Sequence, residues 1–300
     1  RRRRIELRTF SALNCNLSKN HSKELDMIDF ILKLLEKRNI VLAAPIALKN
    51  CTVTRPYKLE KLGFGNTETL SAIIFAVPYL VPMNERNISA YAVSRDYHAY
   101  FQELFEEILP ILKERFPENK FVGFADDSPI DERLAAACAG LGILGDNGML
   151  ITEKYSSYVF LGEIITDLPL KANTLTPKRC SGCGKCISAC PKAEIGQCLS
   201  ALTQKKGELN DEESAHIAKH GSAWGCDICQ EVCPHTQRAI EDLTIYTNID
   251  YFKKNVIPML SIGIIEDMDD EEFEKRAFSW RKRETVLRNL RIIESKEQNI

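Results

Sequence analysis

The spacing of the cysteines constrains this chain more than any other feature of its sequence. Eight of the eleven cysteines fall within residues 180–233. Four of them form C-x2-C-x2-C-x3-C followed by Pro191, and three form C-x2-C-x3-C followed by Pro234. Loops this tight place several thiols around one metal centre, and a proline turns the chain out of the loop because its ring fixes φ and removes a donor. The segment is therefore predicted to bind metal.

The first run has the spacing of bacterial ferredoxins, in which three thiolates hold one [4Fe–4S] cluster and the fourth ligates a second cluster. Two clusters need eight thiolates, and the segment supplies eight. The same crossover divides the cysteines into two sets, which we name site I and site II. Site I comprises Cys180, Cys183, Cys186 and Cys233, and site II comprises Cys190, Cys198, Cys226 and Cys229. The sequence thus predicts two [4Fe–4S] clusters and a role in electron transfer.

Other cysteine chemistries agree less well with this pattern. Zinc also binds C-x2-C pairs, but zinc ribbons combine two such pairs and have no use for a third cysteine two residues further on. A disulfide framework is not expected, because the chain shows no secretory signal. Cys198 belongs to neither compact run and is the least secure of the eight ligands. The isolated Cys15, Cys51 and Cys138 are predicted to be ordinary buried thiols.

Bulk composition allows a sizeable core and gives little guidance about partners. Three hundred residues, 44% of them hydrophobic, suffice for one large domain or two. The net charge of −2 gives no global preference for nucleic acid. Residues 266–274 are acidic and residues 275–291 are rich in Lys and Arg, so this stripe is either a phosphate contact or a solvated helix face. No apolar stretch reaches the roughly 18 residues of a membrane span, and we expect a soluble, cytoplasmic protein.

Alternating strands and helices over residues 25–168 predict an α/β (α+β) N-terminal domain with a mostly buried sheet. Asp126 follows a predicted strand, and Asp127 or Ser128 is expected to cap the next helix. The predicted helices are 25–37, 97–116, 130–139, 211–219, 252–260 and 270–295, and the predicted strands are 40–44, 71–77, 121–125 and a pair formed by 149–152 and 158–166.

A change in composition near residue 175 predicts a second, smaller region. The N-terminal domain is assigned to residues 1–170. A ferredoxin-like module with two [4Fe–4S] clusters follows over 171–240, and a helical, basic C-terminal segment follows over 241–300. The middle module has little apolar core of its own, so we expect its clusters to hold it together.

Several segments together resemble the epoxyqueuosine reductase family, the cobalamin-dependent enzymes of queuosine biosynthesis in tRNA. The resemblance covers roughly residues 65–293 and depends on the order of the motifs. The cysteine runs alone would also suit ferredoxin-like modules, whereas the upstream motifs would not. These motifs are Ser94–His98 (SRDYH), Asp126–Pro129 (DDSP), Glu132–Arg133, Ala139–Gly142 (AGLG), Phe160–Ile164 (FLGEI), Gly225–Asp227 (GCD), and Phe278–Arg283 (FSWRKR) with Leu287–Asn289.

The resemblance implies a cobalamin cofactor that is reduced by one of the clusters, and removal of an epoxide oxygen. Asp126 takes the position of the family's proton donor, although a helix N-cap is the other role that its place after a strand allows. Protonation of the leaving oxygen near neutral pH requires a raised pKa for such an acid. The cofactor would be lined by Ser89, Tyr97, His98 and the backbone of Asp227. For Tyr97 and His98, a place on a helix face in the core or on the surface is as compatible with the sequence as a place beside the cofactor.

The resemblance also implies a tRNA substrate and an external electron donor of low potential. Positively charged and amide side chains near both ends of the cluster module would contact the tRNA. They are Gln204, Lys205, Lys206, Arg281, Lys282, Arg283 and Arg288. The oligomeric state is not indicated by the sequence.

Two features depart from the family pattern. The family's G-K-N-T stretch is replaced by Gly145–Gly148 (GDNG), so that a lysine is lost and Asp146 is gained. The arm between Cys190 and Cys198 is also short. Two alternatives stay open: a two-[4Fe–4S] electron-transfer protein without corrinoid, and a paralogous corrinoid and iron–sulfur reductase that acts on another substrate. The large N-terminal domain favours an enzyme over a simple electron carrier.

Overall fold

The computed structural model of the chain describes residues 26–172 and 174–297. Contacts between residues divide it into two compact units, each assembled from separate stretches of chain. Unit 1 contains the described residues up to Ala76 together with Phe105–Leu141 and Leu161–Pro177, and unit 2 contains Val77–Leu104, Gly142–Phe160 and the described residues from Lys178 onward. The predicted domain boundaries at 170 and 240 stay predictions. Cys15 lies outside the described residues.

Unit 1 is built on a four-stranded sheet. Its strands are β1 (Leu42–Ala47), β2 (Ser71–Pro78), β3 (Phe121–Phe124) and β6 (Val159–Thr166), in the order β1-β2-β6-β3. β1 pairs antiparallel with β2, and β3 pairs antiparallel with β6. All eight residues of β2 are buried, because both faces of this strand are covered. The predicted mostly buried sheet is confirmed for β2 and for most of β6.

One predicted strand pairing is wrong. The stretch 149–152 contains β5 (Leu150–Ile151), which pairs with β4 (Ile143–Leu144) rather than with 158–166. β6 instead joins the large sheet, where its buried residues satisfy their backbone groups against β3. The alternation of residues along the chain correctly predicted both strands, but it carried no information about which strand each one pairs with.

Unit 1 also contains helices. They are α1 (26–36), α2 (Pro56–Lys61), the C-terminal part of α3 (Tyr97–Arg115) and α4 (Glu132–Cys138). Gly123 in β3 lies against Phe105 of α3, and a Cβ added there would be 2.3 Å from the Phe105 ring. The glycine therefore allows helix and sheet to approach closely at this point.

The start of α4 differs from the prediction. The cap is Asp131, whose side chain accepts a hydrogen bond from the Leu134 N–H over 3.1 Å, so the predicted cap from Asp127 or Ser128 is wrong. The reason is that the chain before α4 pairs with another segment first. The N–H of Thr54 donates to Pro129 O, and the N–H of Asp131 donates to Thr52 O. These bonds keep residues 129–131 extended, so that the helix begins only at Glu132.

Unit 2 consists mainly of short helices. A buried cluster around Trp224 and Phe278 forms its larger core, and Leu199, Leu202 and Ile217 form a smaller one. The helices are α5 (Lys185–Ser188), α6 (Lys192–Ile195), α7 (Leu199–Thr203), α8 (Asp211–His220), α9 (Ile228–Glu231), α10 (Pro234–Glu241), α11 (Asp250–Lys253), α12 (Ile262–Asp267), α13 (Asp270–Glu274) and α14 (Arg283–Glu297).

The helix predictions in unit 2 are partly confirmed. Helix 211–219 is present as α8 and begins with a capping box between Asn210 and Glu213. A helix over 252–260 is wrong, because α11 ends at Lys253 and Asn255 follows with a φ of +53°. The single helix 270–295 is also wrong, since Lys282 has a φ of +68° and separates α13 from α14. Among the described residues, no helix is both long and apolar enough to cross a membrane.

Candidate functional site

The four cysteines of site I line one cavity of unit 2, together with Asp146, Asn147 and His235. Cys180 is held by its N–H, which donates to Leu144 O over 2.9 Å. The following loop turns at Gly182 and Gly184, both with positive φ, which brings Cys183 and Cys186 to the same cavity. Cys233 arrives from the second run at the start of α10. The structure therefore brings together the crossover set that the spacing predicts.

The cysteines of site II also lie close to one another. The pKa of Cys229 is raised to about 12, chiefly by burial and in part by the negative charges of Cys226 and Cys190. Burial likewise raises the pKa of Cys226 to about 11, with contributions from Cys198 and Cys190. Cys198, at the N-terminal end of α7, is thus near the other three although it is exposed. Four thiolates this close are stable only beside a cation, so the donor set fits an iron–sulfur cluster.

Asp227, next to a site II cysteine, is the centre of a buried polar network. Its carboxylate accepts hydrogen bonds from Ser89 Oγ at 2.5 Å, from the Ala90 N–H at 2.6 Å and from Gln230 Nε2 at 2.9 Å. Arg86 pairs with the same carboxylate at 3.1 Å. These bonds occupy the Asp227 side chain and fix the backbone at Cys226, so that only backbone groups remain for a ligand.

Ser89 and Asp227 line a common cavity of about 130 Å³ in unit 2. Pockets for drug-sized ligands measure about 300–1,000 Å³, and a complete corrinoid is larger than such ligands. This cavity can therefore enclose only part of a corrinoid, such as one of its amide side chains. The polar lining suits hydrogen bonding to amides.

Tyr97 and His98 lie at the start of α3 within unit 2. The Tyr97 ring stacks on Phe160 at 4.2 Å and on His98 at 4.1 Å. His98 is exposed, and its Nδ1 lies 2.8 Å from Asp96 Oδ1. Tyr97 is half-buried, so each of the two residues presents part of its ring to solvent. Neither belongs to the hydrophobic core.

Asp126 follows β3 in unit 1, as the sequence predicts, and is exposed. Its φ is +66°, in the left-handed region that Asn, Asp and Gly tolerate best. The N–H of Asp126 donates to Glu132 Oε1 over 3.0 Å. The neighbouring Asp127 is paired with Arg55 at 2.6 Å and with Lys58, and the hydrogen bond from Lys58 lowers its pKa. The two aspartates therefore have different roles: Asp127 anchors the loop to α2, while Asp126 is held through its backbone.

A pair of carboxyl groups, the half-buried Glu132 and the buried Glu163, lies next to Asp126 and was not predicted as functional. The pKa of Glu132 is raised to about 7, chiefly by burial and in part by the charge of Asp126. Burial and the adjacent Glu132 raise the pKa of Glu163 well above its usual value. Glu163 is fully buried, and neither of its carboxyl oxygens has a hydrogen bond of good geometry among the described residues. Two such acids favour a shared proton near neutral pH.

Glu163 had a visible signal in the sequence. It stands within the apolar run of β6, where a buried strand has no structural need for an acid. It also lies within the motif Phe160–Ile164, for which the resemblance implied no role. Glu132 had no comparable signal, because an acid in the first turn of a helix is ordinary.

The seven residues predicted to contact tRNA have unequal exposure. Lys206 and Lys282 are exposed. Lys205 is also exposed but pairs with Glu213 at 2.6 Å. Gln204 is half-buried, and its side-chain amide donates to Ser200 O over 3.0 Å.

The three arginines of this set lie in or beside α14. Arg281 stacks over the Trp280 ring at 3.7 Å. Arg283 donates to Ile265 O and pairs with Asp270 at 3.0 Å. Arg288 donates to Lys205 O at 2.8 Å and to Gly207 O. Arg283 and Arg288 therefore hold the fold together and offer little of their guanidinium groups to a partner.

Comparisons with known proteins agree with both parts of this picture. Residues 66–127 match a family described as "Epoxyqueuosine reductase QueG, DUF1730", and residues 179–236 match a "4Fe-4S double cluster binding domain". An epoxyqueuosine reductase from Gloeobacter violaceus is 34% identical over 68% of this chain and 68% of its own length. The chain belongs to the epoxyqueuosine reductase family. Its members are oxidoreductases, and the predicted double-cluster module is confirmed.

Other members of the epoxyqueuosine reductase family align over less of their length. The Listeria monocytogenes protein is 31% identical over 75% of this chain, and that alignment spans 64% of the Listeria protein. The alignment with the Bacillus subtilis protein spans 52% of that protein. An epoxyqueuosine reductase solved with an epoxyqueuosine-modified tRNA stem loop has a TM-score of 0.69, with 23% identity over 90% of this chain and 82% of that one. The enzyme from Streptococcus thermophilus has a TM-score of 0.67, with 23% identity over 89% and 80%. These likenesses confirm the fold.

Proposed function

We propose that this protein removes the epoxide oxygen of epoxyqueuosine in tRNA. The proposal is carried by one observation in unit 1: an exposed acid, Asp126, follows β3 and is hydrogen-bonded through its backbone to Glu132, which forms a pair of acids with raised pKa values together with the buried Glu163. Membership of the family and the double-cluster domain support it. A relative from Bacillus subtilis was solved with the loop of its catalytic aspartate swung out of the active site, which supports a catalytic aspartate in this family.

The reaction that this function requires is a two-electron reduction. An epoxide plus two electrons and two protons gives an alkene and one water molecule, so both carbon–oxygen bonds break and the oxygen leaves as water. The protein must therefore supply electrons from outside and deliver two protons to one oxygen atom. An external donor of low potential, of the flavodoxin or ferredoxin class, would supply the electrons.

The chain's own acids account for the proton delivery. Asp126 would donate a proton to the leaving oxygen, a typical task of a general acid. Glu132 holds the Asp126 backbone and shares a proton with Glu163, so the pair is a nearby store from which Asp126 can be reprotonated. With a pKa of about 7, Glu132 can both hold and release a proton at neutral pH.

Sites I and II would hold one [4Fe–4S] cluster each, through the eight cysteines already named. When bound, the clusters supply one-electron transfer, and a cobalamin supplies the low-potential centre that an epoxide requires. Ser89, Tyr97, His98 and the backbone of Asp227 would border the cobalamin. The network around Asp227 would orient the backbone beside site II, and the stacked Tyr97 would offer an apolar surface.

The test uses protein whose clusters have been reconstituted without oxygen. After addition of hydroxocobalamin and desalting, corrinoid absorbance is expected to elute with the protein. Supplied with a low-potential reductant and tRNA that carries epoxyqueuosine, this protein is expected to yield queuosine, seen by mass spectrometry of the nucleosides as loss of one oxygen. Absence of bound corrinoid would instead favour a two-cluster electron carrier. Bound corrinoid without conversion would favour a paralogous reductase with another substrate.

A further inference from the structure

A cluster of two histidines and a glutamate in unit 2 has no role in the proposed function, although one of the histidines, His220, also lines the cavity that contains Ser89 and Asp227. Glu194 lies on α6, in the short arm between Cys190 and Cys198. His216 and His220 lie one turn apart on α8, so their rings share a face of that helix. One potential ligand atom from each of the three residues lies within 4.8 Å of the others.

The distances within this cluster suit a shared metal ion better than hydrogen bonds. His216 Nδ1 lies 3.4 Å from Glu194 Oε2, and His220 Nε2 lies 3.3 Å from Glu194 Oε1. Charge-assisted hydrogen bonds are shorter, about 2.7–2.9 Å. Two donor atoms at about 2.0–2.1 Å from one zinc ion lie roughly 3.4 Å apart, which is close to both separations. Each separation ends on a different carboxylate oxygen, so Glu194 would face the ion with both oxygens.

Burial of the imidazoles supports the same interpretation. His216 is 3% exposed, and Nε2 of His220 is buried without a hydrogen-bond partner among the described residues. A buried ring nitrogen without a partner is costly, and metal binding would satisfy it.

We propose that Glu194, His216 and His220 bind a divalent first-row cation, Zn²⁺ by preference, outside the two iron–sulfur sites. Two imidazoles and one carboxylate form a donor set that zinc commonly takes, with water as the fourth ligand. The ion would tie α6 to α8 and so hold the short arm that ends at Cys198. The role in supporting Cys198 rests on the proposed cluster at site II, whereas the binding of zinc does not.

The neighbouring Lys219 distinguishes a metal site from a purely structural cluster of ion pairs. Its Nζ lies 2.8 Å from Glu194 Oε2, where it competes with a metal for the carboxylate. Removal of this lysine is therefore expected to preserve or tighten zinc binding, whereas removal of either histidine weakens it. A purely structural cluster of ion pairs would respond to Lys219→Ala with a loss of stability instead.

The experiment uses anaerobic protein with both clusters filled, shown by iron and sulfide analysis, so that the cluster cysteines are not available to zinc. Equilibrium dialysis against Zn²⁺ with elemental analysis gives affinity and stoichiometry, and zinc K-edge absorption gives the ligand distances. Zinc bound by nitrogen and oxygen has bonds of about 2.0–2.1 Å, whereas zinc bound by thiolate has bonds of about 2.3 Å. The variants are H216Q, H220Q and K219A, with E212Q as an exposed control on the same helix.

We expect one tightly bound zinc per chain, nitrogen and oxygen ligation, and at least about a tenfold loss of affinity in H220Q. H216Q should behave alike, and H220Q remains informative if the more buried His216 cannot be replaced without loss of folding. E212Q should match the wild type, and K219A should bind as tightly or more tightly. Absence of zinc in the cluster-loaded protein, sulfur ligation, or unchanged affinity in H220Q would overturn the proposal. None of these readouts depends on epoxyqueuosine reduction, so the two proposals fail separately.

Discussion

Asp126 and Glu132 are joined by a hydrogen bond of 3.0 Å from the backbone N–H of the aspartate to Oε1 of the glutamate. This bond holds Asp126 at a φ of +66°, a conformation that costs a residue with a Cβ about 1 kcal/mol or more. The same glutamate forms the carboxyl pair with Glu163. The side chain of Glu132 thus links the backbone position of Asp126 to the protonation of the carboxyl pair beside it.

Asp126→Asn is expected to lower the rate of epoxyqueuosine reduction by about 10²- to 10⁴-fold, the usual contribution of a general acid. Asparagine is nearly isosteric and tolerates positive φ, so the loop should keep its conformation. Single-turnover conversion of modified tRNA, followed by nucleoside mass spectrometry, measures the effect. Cluster content and tRNA affinity should stay unchanged.

The matched control is Asp127→Asn, which removes an adjacent exposed acid that is paired with Arg55 and Lys58. Its rate should fall far less than that of Asp126→Asn. Equal rates for Asp126→Asn and the wild type would remove Asp126 from the mechanism. Equal losses in both variants would assign the effect to the loop rather than to the acid.

Glu163→Gln is expected to make stability less dependent on pH. Because the folded-state pKa of Glu163 lies above its unfolded value, the folded protein binds more protons than the unfolded one at neutral pH. Wild-type stability should therefore fall as pH rises from about 4.5 through the raised pKa values, that of Glu132 being about 7. Glutamine removes the charge that causes this fall.

Thermal midpoints measured without oxygen at pH 6 and pH 8 test this expectation. The wild type should lose more stability than Glu163→Gln between the two values, and the variant should be the more stable protein at pH 8. Asp242→Asn, an exposed change in unit 2, should follow the wild type. Parallel pH profiles for Glu163→Gln and the wild type would show that the carboxyl pair does not hold a proton near neutrality.

The sequence predicted the elements with strong periodicity and missed what depends on distant partners. β2 and α8 were predicted because a continuous apolar run and a helical stripe are local signals. The cap of α4 was missed because bonds from 129–131 to 52–54 delay the helix. Site I was predicted from cysteine spacing alone, since loop geometry limits which thiols can meet. The carboxyl pair could not be predicted, because it joins a helix start to the middle of a strand.

Cys198→Ser is expected to remove one cluster and leave the other. Cys198 is the least constrained member of site II, yet it lies close enough to Cys226 to affect its pKa. Iron should fall from about eight to about four atoms per chain, because loss of one ligand destabilises one [4Fe–4S] centre only. Iron and sulfide analysis of anaerobically prepared protein measures this change.

Cys138→Ser provides the comparison, because Cys138 is a buried thiol of unit 1 outside both sites. Its iron content should equal that of the wild type. Full iron content in Cys198→Ser would show that site II has a different fourth ligand. Loss of both clusters would show that the two sites fold as one unit.

Asp146→Asn is expected to raise the reduction potential of the cluster at site I. Asp146 lines the site I cavity, and its negative charge raises the pKa of Cys186 together with burial, the larger cause. A nearby carboxylate disfavours an added electron, so its removal makes reduction easier. The pair between Asp146 and Arg179 is long, at 3.5 Å, and neutralises the charge only in part.

A redox titration followed by electron paramagnetic resonance resolves the two clusters. The potential of one cluster should rise in Asp146→Asn, and that of the other should stay the same. Asp242→Asn should shift neither. An unchanged pair of potentials in Asp146→Asn would show that solvent or Arg179 screens this carboxylate from site I.

Lys206 and Arg288 are expected to differ in what they contribute, although both were predicted to contact tRNA. Lys206 is exposed, so Lys206→Ala should weaken tRNA binding and reduce the dependence of affinity on salt by roughly one phosphate contact.

Arg288 donates to Lys205 O and Gly207 O, so Arg288→Ala should lower the thermal midpoint by leaving carbonyl groups unpaired. Filter binding at several salt concentrations, with thermal unfolding of the same samples, separates the two effects. A Lys206→Ala protein with wild-type affinity and salt dependence would remove this lysine from the tRNA interface. Wild-type stability in Arg288→Ala would contradict its structural role.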